Sequence, residues 1–349
     1  MELLARHLSP EKYALHLGLV TQGDGGSFGL PACVCVHLLG AGRVRYGALR
    51  LLRLIWRLRP RLILSGMAHL NLLVLLLRPL MPRGMKILVR QNGTVATTLQ
   101  KPAWTGAIHW LARLLYHSAD RVICQSDTMA EEVGEFLKAG VEAIAVLPNP
   151  IDTDRVRLTL DRSSSVWDGP GPHLLAVGRL AKEKGFDLLL SAFAAVRQEF
   201  PSADLTILGE GPELVQLEHI CGDSGFKQWI RFPGHVPDPS EYFRDASLLA
   251  TASRHEGMPN AVLEAAAAGL PIVATPAAGG LVDLLQGQEG VWMAREISSG
   301  ALAESLRSAL RAIGPGERFI HQWLEGFQLE RAIPAYERVI DTALGTAPP

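Results

Sequence analysis

From residue 173 onward the chain repeats one pattern: a short aliphatic run, a turn rich in glycine or proline, then a longer stretch with apolar residues at helical spacing. His173–Val177, Asp204–Leu208, Ile230–Phe232, Leu248–Thr251 and Ile272–Thr275 read as strands. Phe186–Glu199, Glu213–Cys221, Glu241–Ala246 and Ala261–Ala268 read as the helices between them. Strands separated by helices pair in parallel, because each helix carries the chain back along the sheet before the next strand begins. The expected product is an α/β fold, a parallel sheet covered by helices on both faces. In such sheets ligands gather at the C-terminal ends of the strands.

One stretch of this half, Ser253–Thr275, places two carboxylates around a helix start. Gly257 and Pro259 break regular structure, Asn260 is a good N-cap for Ala261–Ala268, and Gly269 stands where a helix ends. Glu256 then lies in the loop before the helix and Glu264 in its early turns. A helix start offers unpaired N–H groups and the positive end of a dipole, which suit a phosphate, while carboxylates accept hydrogen bonds from sugar hydroxyls. Two readings fit the spacing: a capped helix with a surface glutamate, which the propensity rules reach unaided, or a nucleotide-sugar pocket.

A chain of 349 residues suits two domains, and 48% hydrophobic with 20% charged residues describes a globular protein. The net charge of −1 conceals an asymmetry: residues 1–121 hold 16 Lys/Arg against 4 Asp/Glu, and the remainder 18 against 31. The basic part is either a solvated arginine surface or a face for anionic lipid or nucleic acid. Cys33, Cys35, Cys124 and Cys221 lack CxxC spacing and a nearby histidine partner, so they read as reduced and structural. Met1–Pro10 has no apolar core of a signal peptide, so a cytoplasmic location is expected.

The first half alternates similarly. Met1–Leu8 reads as the end of an amphipathic helix, Tyr13–Val20 and Ala32–Leu39 as strands, and Thr21–Leu30 as a Gly-rich loop without the order of a phosphate cradle. Val44–Arg59 forms a basic amphipathic helix, either a crossover helix with a solvated Arg face or a membrane-surface helix. Arg61–Leu64 is a strand, and Asn71–Leu80 an apolar helix too short to span a bilayer. Lys86–Arg90 is a strand whose C-terminal end opens into the polar loop Gln91-Asn92-Gly93-Thr94, a position where α/β sheets bind ligands. A helix over Trp104–Ala119, a strand over Asp120–Cys124, a helix over Asp127–Ala139 capped by Ser126, and a strand over Ile144–Leu147 complete it. Asp152-Thr153-Asp154 spells DxD, yet offers two carboxylates where a hard cation wants more oxygens, and no metal site is expected. Arg155–Gly171 reads as a loose interdomain linker, Ala301 opens an Ala/Leu-rich helix, and a final helix lies near Pro334–Ala343.

Taken in order, VGRLAKEKGFD, LTILGEGPE, IRFPGHV and SRHEGMPNAVLEAAAAGLPIVAT closely resemble the retaining GT-B glycosyltransferases of glycosyltransferase family 4 over residues 146–293, with weaker agreement from residue 1. The resemblance implies two Rossmann-like domains facing one cleft: 1–150 on the acceptor side, 151–330 binding the nucleotide sugar, and a helix over 331–349 crossing back to the first. It implies that Arg179 and Lys184, beside Gly178, contact the donor diphosphate. Glu256 would lie near the sugar hydroxyls and Glu264 on the ribose. The N–H groups of Gly257, Met258, Pro259-linked Asn260, Ala261 and Val262 would line phosphate and sugar, and Gly234, His235 and Val236 would sit by the base. Two departures stand out. Relatives begin with a strand and a Gly-Gly loop not found ahead of Met1–Leu8 here, a departure that would leave a central sheet edge unpaired. Many also carry a histidine where Gln91-Asn92 stands here; His69 is either a substitute for it or a structural histidine beside the apolar helix.

The expected activity is retaining transfer from a nucleotide sugar, UDP-linked, to a lipid-linked or polysaccharide acceptor in cell-surface glycan synthesis. No metal, cofactor or nucleic acid is implied, and peripheral contact with the inner face of the plasma membrane is. The alternatives are a truncated, non-catalytic nucleotide-sugar-binding or scaffold protein, or a GT-B epimerase of UDP-N-acetylhexosamine.

Overall fold

The computed structural model describes residues 1–20, 29–40, 44–93, 95, 106–138, 143–160 and 166–346. Most of the Gly-rich loop expected at 21–30, the first two residues of the helix expected from Trp104, and part of the expected linker at 161–165 lie outside them. The chain divides into two compact units, Met1–Pro150 with Leu329–Pro349, and Ile151–Gln328.

In the first unit the strands β1 (His16–Leu19) and β2 (Cys35–Leu38) form a parallel pair. The strands β3 (Leu62–Ser65), β4 (Lys86–Arg90), β5 (Arg121–Cys124) and β6 (Ile144–Val146) form a separate parallel sheet in the order β3-β4-β5-β6. The central strands are fully buried, with Ile87 and Val89 facing one core and Leu88 the other, which is why β4 reads as a continuous apolar run. The helix Leu329–Leu344 closes the second of these cores: Ile333, Tyr336 and Ile340 pack with Leu4, Leu8, Leu88 and Ile123. The Glu337 carboxylate accepts from the Ser9 N–H at 3.0 Å, and Asp341 from the Tyr13 hydroxyl at 2.7 Å. This helix starts five residues before Pro334, which lies inside it.

Other elements of this unit depart from expectation. The apolar helix runs Ala68–Leu77, followed by a 3-10 turn at Arg78–Leu80, so Asn71 is an interior, buried residue rather than a helix start. Its amide has tertiary partners, described below, that local propensity does not register. Cys33 and Cys35 are exposed, whereas Cys124 and Cys221 are buried. Ser126 caps the helix Asp127–Leu137 by accepting from the Met129 N–H at 3.2 Å. Among the described residues no helix is long and apolar enough to cross a membrane.

The second unit holds β7 (His173–Val177), β8 (Asp204–Leu208), β9 (Ile230–Gly234), β10 (Leu248–Thr251), β11 (Ile272–Ala274) and β12 (Val291–Met293) in one parallel sheet ordered β12-β11-β10-β7-β8-β9. Alternate residues feed opposite cores. Leu174, Leu205 and Leu248 pack against the helices Phe186–Arg197 and Ser299–Ala312, while Leu175, Leu208 and Leu249 face Asn260–Ala267 and Leu281–Leu285. A side chain such as Phe193, wholly buried, contributes about 2–3 kcal/mol by leaving water. The expected linker is in part a helix, Thr153–Thr159, because the Asp152 carboxylate caps it by accepting from the Arg155 N–H at 2.9 Å. Trp167 beyond it is buried, stacked on His173 with ring centroids 4.8 Å apart.

Candidate functional site

The C-terminal ends of β7, β8 and β10 deliver three loops that touch. Gly209, after β8, has φ +136°, and a Cβ there would collide with the Gly178 carbonyl after β7. Gly185, φ +64°, lies so close to the Ala252 carbonyl after β10 that any side chain would strike it. These two glycines let the loops close together. The Arg254 guanidinium then ties them: it donates to both Asp187 oxygens at 2.8 and 2.6 Å and to the Lys182 carbonyl at 2.8 Å, while its N–H donates to the Glu183 carbonyl at 2.8 Å. The Arg254 hydrogen bond holds Asp187 below the usual carboxylate range.

This arrangement brings Lys184 onto Glu256. The two are ion-paired, and the Lys184 stem lies against Gly178, whose added Cβ would sit 3.5 Å from it. Glu256 is fixed further by the Ser253 hydroxyl, which donates to its carboxylate at 3.0 Å, and by its own N–H, which donates to the Ala278 carbonyl at 2.9 Å. Ser253 is buried and is itself placed by Thr275, whose hydroxyl donates to the Ser253 carbonyl at 2.7 Å. A cation and an anion fixed this way at the rim of a loop can exchange partners with an incoming diphosphate and sugar hydroxyls.

The helix that follows is Asn260–Ala267, one residue earlier than expected. Pro259, with φ −75°, holds the N-cap position, so Asn260 is the first helical residue. The Pro259 carbonyl accepts from the Val262 and Leu263 N–H groups at 3.1 and 3.4 Å, so the Val262 amide is engaged within the helix and is not offered to a ligand as expected. Gly257, Met258 and Pro259 are buried, and Met258 is anchored in the core. The far end closes on Gly269, φ +74°, with the Leu270 N–H donating to Ala265 and the Gly269 N–H to Ala266. Glu264 lies one turn in from the start, partly buried. Burial, with the Asp238 carboxylate adding and Arg155 opposing, pushes its carboxyl up to about 7.

The remaining expected residues divide. Arg179 is not drawn to the Lys184–Glu256 pair: it is largely exposed and paired with Glu183. Gly234, φ +83°, ends β9, and its carbonyl accepts from Gly209 at 2.8 Å, so this turn borders the same loops. His235 is exposed, and Val236 packs on the core. Asn92 belongs to the other unit, where it follows β4; its amide donates to the Gly66 carbonyl and its oxygen accepts from Gln125 at 3.0 Å. Sequence reasoning missed both Arg254–Asp187 and a buried polar cluster near β4, in which Asn71 donates to the Arg90 carbonyl at 3.0 Å and to Tyr116, and Tyr116 donates to Gln91 at 3.1 Å. Its one visible signal is a lone asparagine opening an otherwise apolar run.

Fold and site together define an α/β protein whose second unit presents a Lys–Glu pair and a helix start at the C-terminal strand ends. Two family models match most of the chain: Glycosyltransferase Family 4 over residues 2–155 and Glycosyl transferases group 1 over residues 171–312. The chain belongs to this glycosyltransferase family. Relatives include a lipopolysaccharide core biosynthesis glycosyltransferase of Rhizobium meliloti, 27% identical over 64% of this chain and 65% of that protein. A glycogen synthase of Mycobacterium tuberculosis is 34% identical over 63% of this chain and 51% of that protein. The chain thus matches about half to two-thirds of their length. Among solved structures, sucrose-phosphate synthase of Thermosynechococcus elongatus shares the fold with a TM-score of 0.81 at 16% identity, covering 99% of this chain and 92% of that one. The Anabaena protein HepE in complex with UDP and glucose gives 0.75 at 16% identity, covering 98% and 95%.

Proposed function

We propose that this protein transfers a sugar from a UDP-sugar, with retention of configuration, to a lipid-linked or glycan acceptor in cell-surface glycan synthesis on the cytoplasmic side of the membrane. The observation that carries the reading is the Lys184–Glu256 pair set beside the helix Asn260–Ala267, with Glu264 within that helix. Lys184, joined by Arg179 once it leaves Glu183, would neutralise the diphosphate as the glycosidic bond breaks; charge stabilisation of this type is worth about 3–4 kcal/mol of barrier. The freed Glu256 would accept hydrogen bonds from donor sugar hydroxyls. Glu264 would accept from the ribose, and the turn Gly234–Val236 would flank the base. With retention, the departing phosphate oxygen takes the acceptor proton on the same face, so no protein nucleophile is called on. That HepE binds UDP and glucose and that relatives act in lipopolysaccharide core and glycogen synthesis support a nucleotide sugar and a glycan acceptor.

The test is turnover across a panel of UDP- and GDP-sugars, read as nucleotide release with and without acceptor glycans and lipids. Release from a UDP-sugar that Glu256→Gln abolishes is expected. A protein that binds a nucleotide sugar yet releases nothing with any acceptor would be a binding protein, and conversion of the donor without an acceptor would make it an epimerase.

A further inference from the structure

The strand pair β1 and β2 of the first unit, none of whose residues the proposed donor site uses, gathers imidazole and thiol groups on one face. The register of the pair sets them. His16 stands opposite Cys35, and Gly18 opposite His37. Register partners on neighbouring strands are about 4.8 Å apart and point to the same side, and residues two apart along a strand share that side. His16, Cys35 and His37 therefore occupy three corners of a small square and Gly18 the fourth. That fourth corner is open: a Cβ built on Gly18 would meet no atom within 4 Å. The two imidazoles reach toward each other across the diagonal, with His16 Nδ1 and His37 Nε2 3.0 Å apart. Two nitrogens on one tetrahedral zinc ion, each about 2.0–2.1 Å from it, stand about 3.3 Å apart, so the pair needs little movement to share an ion. His16 and Cys35 are exposed and His37 half-buried, which gives an ion a path from solvent.

Without an ion, one proton joins the two rings. Arg57 lies 3.4 Å from His37 Nδ1 and can only donate, so that nitrogen accepts, and His37 Nε2 carries the hydrogen given to His16 Nδ1. A divalent ion takes the place of this shared proton. It binds His16 Nδ1 and His37 Nε2, the His37 proton moves to Nδ1, and Arg57 turns to solvent. Among the described residues no three such side chains surround a point ready-made, so Cys35 joins by a turn about χ1, giving its thiol proton to water and supplying an anionic sulfur.

We propose that His16, His37 and Cys35 bind one transition ion of the zinc type, with water completing a tetrahedron, and that the ion ties β1 to β2. Two imidazoles and a thiolate select such an ion over magnesium or calcium, which take oxygen ligands. The consequence is structural. Two four-residue strands to which no third strand is bonded among the described residues hold together weakly, and a crosslink through an ion fastens them.

The experiment titrates cobalt(II), then zinc, into the full chain after reduction and treatment with a chelator. Cobalt should give the intense visible absorption of a tetrahedral site and a near-ultraviolet thiolate band, and zinc should displace it with a Kd of about 1 µM or tighter. Magnesium should not compete. His16→Ala and His37→Ala should each weaken binding at least about tenfold, Cys35→Ser should remove the thiolate band, and Cys33→Ser should keep it. Arg57→Gln should tighten binding, because it frees His37 Nδ1 and removes a like charge. Circular dichroism of each variant separates loss of a ligand from loss of fold. A wild type that needs about millimolar ion, a thiolate band that survives Cys35→Ser, or binding indifferent to both histidines would mean adventitious surface binding only and overturn the proposal. None of these readings needs a nucleotide or an acceptor, so they stand apart from the fate of the donor site.

Discussion

Replacing Glu264 by glutamine distinguishes a partly buried carboxylate that holds its proton from a solvated surface one. Burial, reinforced by Asp238 and opposed by Arg155, lifts this carboxyl from the ordinary 4.5 to about 7. The folded state therefore holds the proton more tightly than the unfolded chain, and stability falls as pH rises from 4.5 through about 7. At about 1.4 kcal/mol per pH unit, ionising Glu264 in the empty site costs at most about 3 kcal/mol. The glutamine variant carries no such cost. Chemical denaturation should find the two proteins alike near about pH 5, and the variant more stable near about pH 8 by up to about 3 kcal/mol. In the proposed complex the carboxylate accepts from two hydroxyls, which favours its ionised form, so UDP binding near neutral pH should release a proton from wild type and none from E264Q. Titration calorimetry in buffers of different ionisation heat reads that proton directly. Parallel stability profiles for the two proteins, or equal proton release, would refute the reasoning.

Other expected outcomes follow from single contacts. Gly185→Ala puts a methyl into the Ala252 carbonyl at a left-handed φ, so it should unfold or distort the loop, seen as at least about 3 kcal/mol lost in denaturation and loss of donor binding. Arg254→Met removes the clamp while leaving Lys184 and Glu256 in place; kcat should fall more than KM rises, by about tenfold or more, with little change in unfolding because the pair is half exposed. Asn71→Ala leaves the Arg90 carbonyl without its donor and should cost about 1–3 kcal/mol in urea denaturation. Equal stability there would mean that water takes the amide's place.

Residues 173–275 are legible in the sequence because the central strands are buried on both faces and most turns are punctuated by glycine or proline; β7, β8 and β10 fall where the pattern puts them. Glu256 and Glu264 are visible as carboxylates around a helix start, and their chemistry becomes specific only through the order of motifs. What is hidden is what depends on side chains far apart in sequence. The clamp of Arg254 on Asp187, 67 residues away, leaves no local trace. Asn71 reads as a helix start because asparagine favours one, yet its amide nitrogen donates to the Arg90 carbonyl and to Tyr116 inside the core. Arg155 reads as linker because glycine and serine follow it, while the Asp152 cap makes it helical.

The central claim is that Lys184, Glu256 and Glu264 form a donor site. Calorimetric titration of UDP into the wild type, Lys184→Met and Glu264→Gln tests it most directly. The account predicts saturable binding by the wild type, weakened at least about tenfold by loss of the Lys184 charge and measurably by Glu264→Gln. Identical affinity in all three proteins, or no binding by a folded wild type, would contradict it.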